Sequence, residues 1–539
     1  MFKVIKILVI FLFLFNNKIL AQVHIKFINS KNYKQIHTLR AKDSLQAWIK
    51  IQNFINRQRQ KGWLEASADS VLMIKNKFIV YVHKGEKYFL DSLILTDGTD
   101  TVIINKRKQF FYPNIIDDFS RDYINDLRNR GYAFAKLTDK FCKLKDNHFV
   151  CNVKVNRGDY FVFDTLKILD TVKISRKFLQ SYLALSIGKP FSYKLIQQIP
   201  SRLSSLKFIS LIDTPQVEFY PGLARPVLFL KRINSNSASA LVGMIYDNGD
   251  LTTVGQIQLH TTGLLQAEDF SFFWSRPRTM WQQMKVSLQV PYIIGSPVGL
   301  KMNVFNQKID TTRLNFSFAT GLAYYFYNLS SISFLWKIDN NFTVYTSSSE
   351  QIVKKSLFQF SINLDNIRNV FVFSQGWKLQ ADLGYGKKNF TDSLSWIVEY
   401  KVDVQKFFVI AKRLSILTRW QTFGMWSPFI LNNELIYIGG YQNFRGFNEQ
   451  QFSASAYNLI TLEPRFYLNS NYIFVFVEKG NIVRKTISYD TKFNTLAFGF
   501  GINLHLNNSA FIITYALGSE NRNFDFSASK IHLSYRLIF

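Results

Sequence analysis

In "NTLAFGFGINLHLN", Asn494 to Asn507, the even positions Leu496, Phe498, Phe500, Ile502, Leu504 and Leu506 are apolar, while Ala497, Gly499, Gly501, Asn503 and His505 take the odd ones. A period of two is that of a strand, here with one greasy face and one small or polar face. The habit continues in "AFIITYALG" through Phe511, Ile513, Tyr515 and Leu517. It closes in "KIHLSYRLIF", where Ile531, Leu533, Tyr535, Leu537 and Phe539 alternate with Lys530, His532, Ser534, Arg536 and Ile538. Roughly 300 residues from about Ser237 onward follow this pattern. A soluble sandwich also alternates, but its strands are usually shorter and its apolar face looks inward. Long segments with aromatics at their ends suit a transmembrane antiparallel β-barrel, apolar face to lipid and polar face to the lumen, with an even strand count near 16.

The first half has a different rhythm. "RQKGWLEASADSV" (Arg59 to Val71) is echoed by "RNRGYAFAKLTDK" (Arg128 to Lys140), and "VYVHKGEKYFLDSLIL" (Val80 to Leu95) by "VKVNRGDYFVFDTLKIL" (Val153 to Leu169). Order and spacing are kept at about seventy residues, so the half is a repeat. Before each glycine lies a helical stretch. Leu45, Trp48, Ile51 and Ile55 share one helical face in the first unit, and Phe119, Tyr123 and Leu127 in the second. Gly62 and Gly131 are placed to end those helices in the left-handed conformation. A third, diverged unit carries helices around Gly188 and a closing hairpin in "VEFYPGLARPVLFLKR", Val217 to Arg232. Such small mixed modules expose sheet edges that accept an extended partner strand.

The chain opens "MFKVIKILVIFLFLFNNKILAQ", with Lys3 and Lys6 ahead of an apolar run from Ile7 to Phe15 and a small residue at Ala21. That is the layout of a secretory signal peptide, cleaved after Ala21, and the run is too short for a bilayer-spanning helix. A retained anchor is the alternative. Beyond it no apolar stretch reaches the ~18 residues of a membrane helix, so any membrane crossing is by a closed barrel. The formal charge is +29, or +26 without Lys3, Lys6 and Lys18. Its cations are spread along the chain with no basic helix or finger motif. This favours lipid headgroups over nucleic acid.

Only two cysteines occur, in "FCKLKDNHFVC". If Asp146 and Asn147 form a two-residue hairpin turn, Cys142 faces Cys151 at a non-hydrogen-bonded pair, where a disulfide is plausible in an oxidising compartment. Two reduced thiols are the alternative. Catalytic signals are missing. The seven histidines lack the i, i+4 spacing of a helical zinc site, and neither a nucleophile elbow nor a phosphate or dinucleotide loop is present. "YDNGDL" (Tyr246 to Leu251) reads as a hairpin turn at Asn248-Gly249 rather than a calcium loop. No catalytic residue, metal or cofactor is assigned.

Taken together, these residues resemble the BamA/TamA superfamily of outer-membrane barrels with periplasmic POTRA modules, over nearly the whole mature chain. The repeats around Gly62 and Gly131 resemble POTRA domains. "TGLLQAEDFSFFWSR" and "VPYIIGSPVGL" resemble the first barrel strands, and "IGGYQNFRGF" the signature of the sixth outer loop. The resemblance implies that this loop folds back into the lumen, where Arg445, in the motif Arg445, Gly446, Phe447, pairs with inner-wall acids. "YIFVFVEKGN" supplies Glu478 where the family has Asp, keeping Gly480, and "LITLEPRFYL" supplies Glu463. A planar guanidinium that cannot shed its proton suits such a partner. An exposed loop arginine is the plainer alternative. Tyr535, Leu537 and Phe539 match the carboxy-terminal barrel signal.

The resemblance also implies a layout: signal peptide 1–21, POTRA-like modules of β-α-α-β-β order at 22–90, 91–165 and 166–236, and a barrel at 237–539. Three modules point nearer TamA than BamA. An assembly or insertion factor in the outer membrane of a Gram-negative-type bacterium is the first reading. Its partners would be unfolded outer-membrane or secreted client chains, outer-membrane lipid, and a periplasmic or inner-membrane assembly partner. A two-partner-secretion transporter of one exoprotein is the alternative, and a plain diffusion channel needs neither modules nor lock.

Overall fold

The computed structural model describes residues 23–538 apart from 76, 99–100, 113, 170–173, 207, 234, 248–249, 264–266, 311, 345–349, 371–372, 391–392, 507–508 and 521–522. The expected signal peptide, the turn expected at Asn248-Gly249 and Phe539 therefore lie outside the described residues. The chain divides into two compact units, one running to Val162 and including Lys189–Lys194 and Phe219–Ala224, the other made of the remainder.

The first unit holds two copies of one design. In the first copy, Val23–Asn29 pairs antiparallel with Gln35–Ala41 and parallel with Lys77–His83, which turns back on Ser67–Ile74. A helix, Ser44–Gln60, starts where the Asp43 carboxylate accepts the Gln46 N–H at 2.7 Å. It buries Ala47, Ile51, Phe54 and Ile55 over Ile25, Phe27, Phe78, Val80 and Val82. Leu45 and Trp48, expected on that face, are exposed. The buried stripe is rotated toward the small Ala47, which lets the helix approach the sheet.

The second copy repeats the order with Phe89–Thr96, Thr101–Phe110, the helix Ile115–Asn129, Lys136–Lys145 and His148–Asn156. Leu127 is buried, and Phe119 and Tyr123 flank the core. The repeat extends to single hydrogen bonds. The Gly62 carbonyl accepts the Tyr88 N–H at 2.9 Å, and that of Gly131 accepts the Phe161 N–H at 2.8 Å. Arg59 and Arg128 each donate Nε to the carbonyl seven residues on, Ala66 and Ala135. Both glycines have positive φ, +88° and +108°, and a Cβ on Gly131 would lie 2.4 Å from the Tyr160 ring. In both copies a strand, Gln35–Ala41 or Thr101–Phe110, takes the place of the first helix in the β-α-α-β-β order.

The helix pair occurs in the third module, Arg176–Leu183 and Tyr193–Leu203, with Tyr182 Oη donating to the Arg202 carbonyl at 2.8 Å. Its sheet sets Lys167–Leu169 parallel and Ile209–Leu211 antiparallel to Leu223–Arg232. Phe178 and Tyr182 pack edge-on against Tyr292, in a turn of the barrel, and the Ser181 hydroxyl donates to the Gly295 carbonyl.

Sixteen long antiparallel strands, from Ser237–Asp247 to Lys530–Ile538, close into a barrel. The short strands Arg368–Val370 and Asn523–Phe524 pair beside this circuit. Polarity is inverted relative to a soluble core. Trp336, Phe358, Ile460, Val475, Phe500, Leu533, Tyr535 and Leu537 are exposed, while Lys301, Asn341, Lys355, Lys388, Glu463, Glu478 and Thr514 are buried. Lipid is the solvent that makes such a surface favourable. Among the described residues no helix is long and apolar enough to cross a membrane.

Closure is uneven. Ser237–Asp247 pairs along its whole length with Asp250–His260, from Ser237 opposite His260 to Asp247 opposite Asp250. Against the last strand, among the described residues, it pairs only Ser237 with Ile538 and Ala238 with Leu537.

Candidate functional site: a loop pinned to the inner wall

Between the strands Leu414–Trp426 and Ala456–Leu468 lies a segment, residues 427–455, whose side chains meet the polar inner faces of the wall. It carries a short 3-10 turn, Asn432–Glu434, and a small hairpin of Ile436–Ile438 with Phe452–Ala454. Phe444, Phe447 and Phe452 pack with Phe423, Met425, Tyr457 and Leu459. That apolar cluster lies on the otherwise polar inner wall because the segment supplies the covering residues.

Arg445 sits in the middle of this packing. Its backbone N–H and Nε each donate to the Glu478 carboxylate at 2.8 Å, and Nη1 donates to Glu463 Oε2 at 2.7 Å. Glu463 is also gripped by Arg465, Nη2 to Oε1, at 2.7 Å. Alternation along Ala456–Leu468 and Asn471–Lys485 turns Glu463, Arg465 and Glu478 inward together. The guanidinium carbon lies 3.7 Å from the Phe476 ring centroid, so one face stacks while the edge hydrogen-bonds. The side chains of Arg445, Glu463 and Glu478 are 12%, 5% and 5% exposed. The Glu478 carboxylate thus meets both the backbone and the side chain of Arg445.

Gly446 has φ +89°, and Phe447 is buried beside it. Of the carboxy-terminal trio, Tyr535 and Leu537 face outward, and Phe539 lies outside the described residues. Cys142 stands opposite Cys151 with sulfurs 2.14 Å apart and Cα atoms 4.1 Å apart, across a turn in which Asp146 and Asn147 both have positive φ.

A second charged cluster was not foreseen from sequence. Lys337 contacts Asp339 and Glu399 at 2.8 Å, Lys355 reaches Glu399 at 3.1 Å and Glu434 at 3.3 Å, and Lys388 meets Glu434 at 2.8 Å. The alternating pattern puts each wall member in the polar phase of its strand, a legible signal. The register that sets Asp339 opposite Lys355 and Lys355 opposite Lys388 is not legible. A cavity of about 310 Å³ lies beside the cluster, lined by Lys285, Lys337, Lys355, Glu399, Lys401 and Glu434 among others. Among the described residues no group of three His, Cys, Asp or Glu side chains is arranged to hold a metal.

No family model and no curated protein matches the sequence. Solved structures do. CdiB from Acinetobacter baumannii aligns at TM-score 0.52 and 14% identity over 79% of this chain and 81% of that one. CdiB from Escherichia coli aligns at 0.51 and 12% over 92% and 97%. A BamA from Haemophilus ducreyi lacking POTRA domains 1-3 aligns at 0.46 and 13% over 81% and 95%. The chain shares its fold with the two CdiB structures: a 16-strand barrel preceded by α/β modules.

Proposed function

We propose that this chain is an outer-membrane insertion or translocation factor. It is exported by its leader, its amino-terminal modules receive unfolded client chains in the periplasm, and its barrel delivers them to or across the membrane. The module limits proposed are those expected from sequence, 22–90, 91–165 and 166–236. The observation that carries the reading is the seam. A first strand paired with the last, among the described residues, only at Ser237 and Ala238 leaves most of that edge available to an incoming strand, whose main-chain hydrogen bonds satisfy groups that lipid cannot. Arg445 is the lock that holds the inner-wall loop while the seam is closed.

Joining Ala238→Cys to Leu537→Cys by a disulfide tests this. Oxidation should block client insertion or secretion and reduction should restore it. Full activity with the seam covalently shut would overturn the reading. The two-partner-secretion alternative has the two CdiB likenesses on its side. The nearer likeness to TamA rests on module count alone. Crosslinking separates the two, since many barrel clients mark an insertion factor and one exoprotein a transporter.

A further inference from the structure

The two charged clusters on the inner wall share a property that neither shows alone. In the Arg445 cluster, the wall supplies two carboxylates, Glu463 and Glu478, but one cation, Arg465; the loop supplies the second cation. In the other cluster the signs are reversed. The wall supplies three ammoniums, Lys337, Lys355 and Lys388, but two carboxylates, Asp339 and Glu399; the loop supplies the third carboxylate, Glu434. Among the ion-paired groups of each cluster, cations and carboxylates are equal in number only with the loop seated.

We propose that Glu434 is a second, independent anchor of the same loop, opposite in polarity to Arg445, so that displacing the loop requires breaking both. This deepens the proposed function and rests on its reading of the loop as a movable element. The seat of Glu434 is built around it. Its side chain is fully buried, as is that of Lys388. Oε2 accepts the Leu431 N–H at 2.8 Å as well as Lys388 Nζ, and Lys388 also donates to the Phe429 carbonyl at 2.5 Å while lying 4.1 Å from the Phe429 ring centroid. Lys388 therefore grips three groups of one turn of the loop. Asn433 Nδ2 adds a bond to the Asn341 carbonyl on the wall at 3.3 Å. Withdrawing Glu434 strands the buried Lys388 ammonium and leaves Lys355 with Glu399 alone, a costly arrangement for buried charge.

Opposite polarity has a consequence for selectivity. An acidic client segment entering the lumen competes for Lys355 and Lys388, and a basic one for Glu463 and Glu478, so neither alone releases both ends. A passing chain of one sign leaves the loop tethered.

Nitroxide labels at Pro428→Cys, beside Glu434, and at Gln442→Cys, beside Arg445, read each end separately in the full-length protein. Both residues are exposed. Glu434→Gln should free the 428 label, shifting the release equilibrium of that end by about a hundredfold, and leave the 442 label immobile. Arg445→Ala should do the converse. Glu434→Asp, which keeps the charge toward Lys355 and Lys388, should recover part of the immobile spectrum at 428, which a variant that merely misfolds cannot do. An unchanged 428 label in Glu434→Gln, or equal loosening of both labels by either substitution, overturns the two-anchor inference. Loosening at 428 with insertion and secretion unaffected would uphold the anchor and count against the functional reading instead.

Discussion

Gly446 of the loop and Gly518 of the wall meet backbone to backbone. A Cβ on Gly518 would lie 2.5 Å from the Gly446 carbonyl oxygen and 2.9 Å from Phe447 Cζ, and one on Gly446 would lie 2.8 Å from the Gly518 nitrogen. Arg445 reaches its carboxylates because its neighbour can sit this close. Gly518→Val should lift the loop without unfolding the barrel, since overpacking costs typically 1–3 kcal/mol, roughly what one contact can absorb. A thiol at position 442 should then react faster with a membrane-impermeant maleimide, while heat-modifiability persists. An unchanged labelling rate would show that the contact does not seat the loop.

The Cys142–Cys151 pair makes a prediction confined to the second module. Both thiols should resist alkylation until a reductant is added. Replacing both by serine should weaken the module by about 2–3 kcal/mol, the chain-entropy estimate for so short a loop. Limited proteolysis of the full chain reads this as faster cleavage near Lys143 and Lys145. Immediate labelling of the unreduced native protein would refute the bond.

How much of this was legible depended on whether the information was local. Strand alternation is local, so the barrel could be read before any coordinates, whereas Glu463 and Glu478 were expected on the inner wall only from the resemblance of their strands to a family motif. The repeat around Gly62 and Gly131 was legible for the same reason, because each glycine answers a backbone demand within its own unit. The buried face of the first helix was not. Leu45 and Trp48 fit the helical period, but the sheet beneath selected Ala47, and sequence does not show how closely helix and sheet approach. Strands in place of the first helices were also hidden, since "QIHTLRA" is too short to separate a strand from a helical turn by period. The Glu434 cluster was the least accessible part. Its wall members lie on four successive paired strands, with Asp339 opposite Lys355 and Lys355 opposite Lys388, but sequence shows neither that register nor the place where the loop sets Glu434 down.

Arg445 offers the most direct quantitative test. Its partners Glu463 and Glu478 are almost wholly shielded, and Phe476 covers the guanidinium face, so little solvent screens the pair. Breaking a buried pair by removing one member typically costs about 3–5 kcal/mol, against roughly 0–1 kcal/mol for an exposed one. Arg445→Ala leaves two carboxylates to share Arg465, and the sixteen-strand barrel around them should still fold. We expect the loop to loosen, single-channel conductance to become larger and noisier, and insertion or secretion to fall. Arg445→Lys should recover part of the loss, because one ammonium cannot reproduce separate bonds to Glu478 and Glu463 or stack as a plane on Phe476. A double-mutant cycle with Glu478→Gln should give a coupling well above the half kilocalorie typical of independent sites, and Glu463→Gln a smaller one, since Arg465 still holds that carboxylate. Additive effects in both cycles would mean that these contacts do not hold the loop, leaving Arg445 an ordinary loop residue.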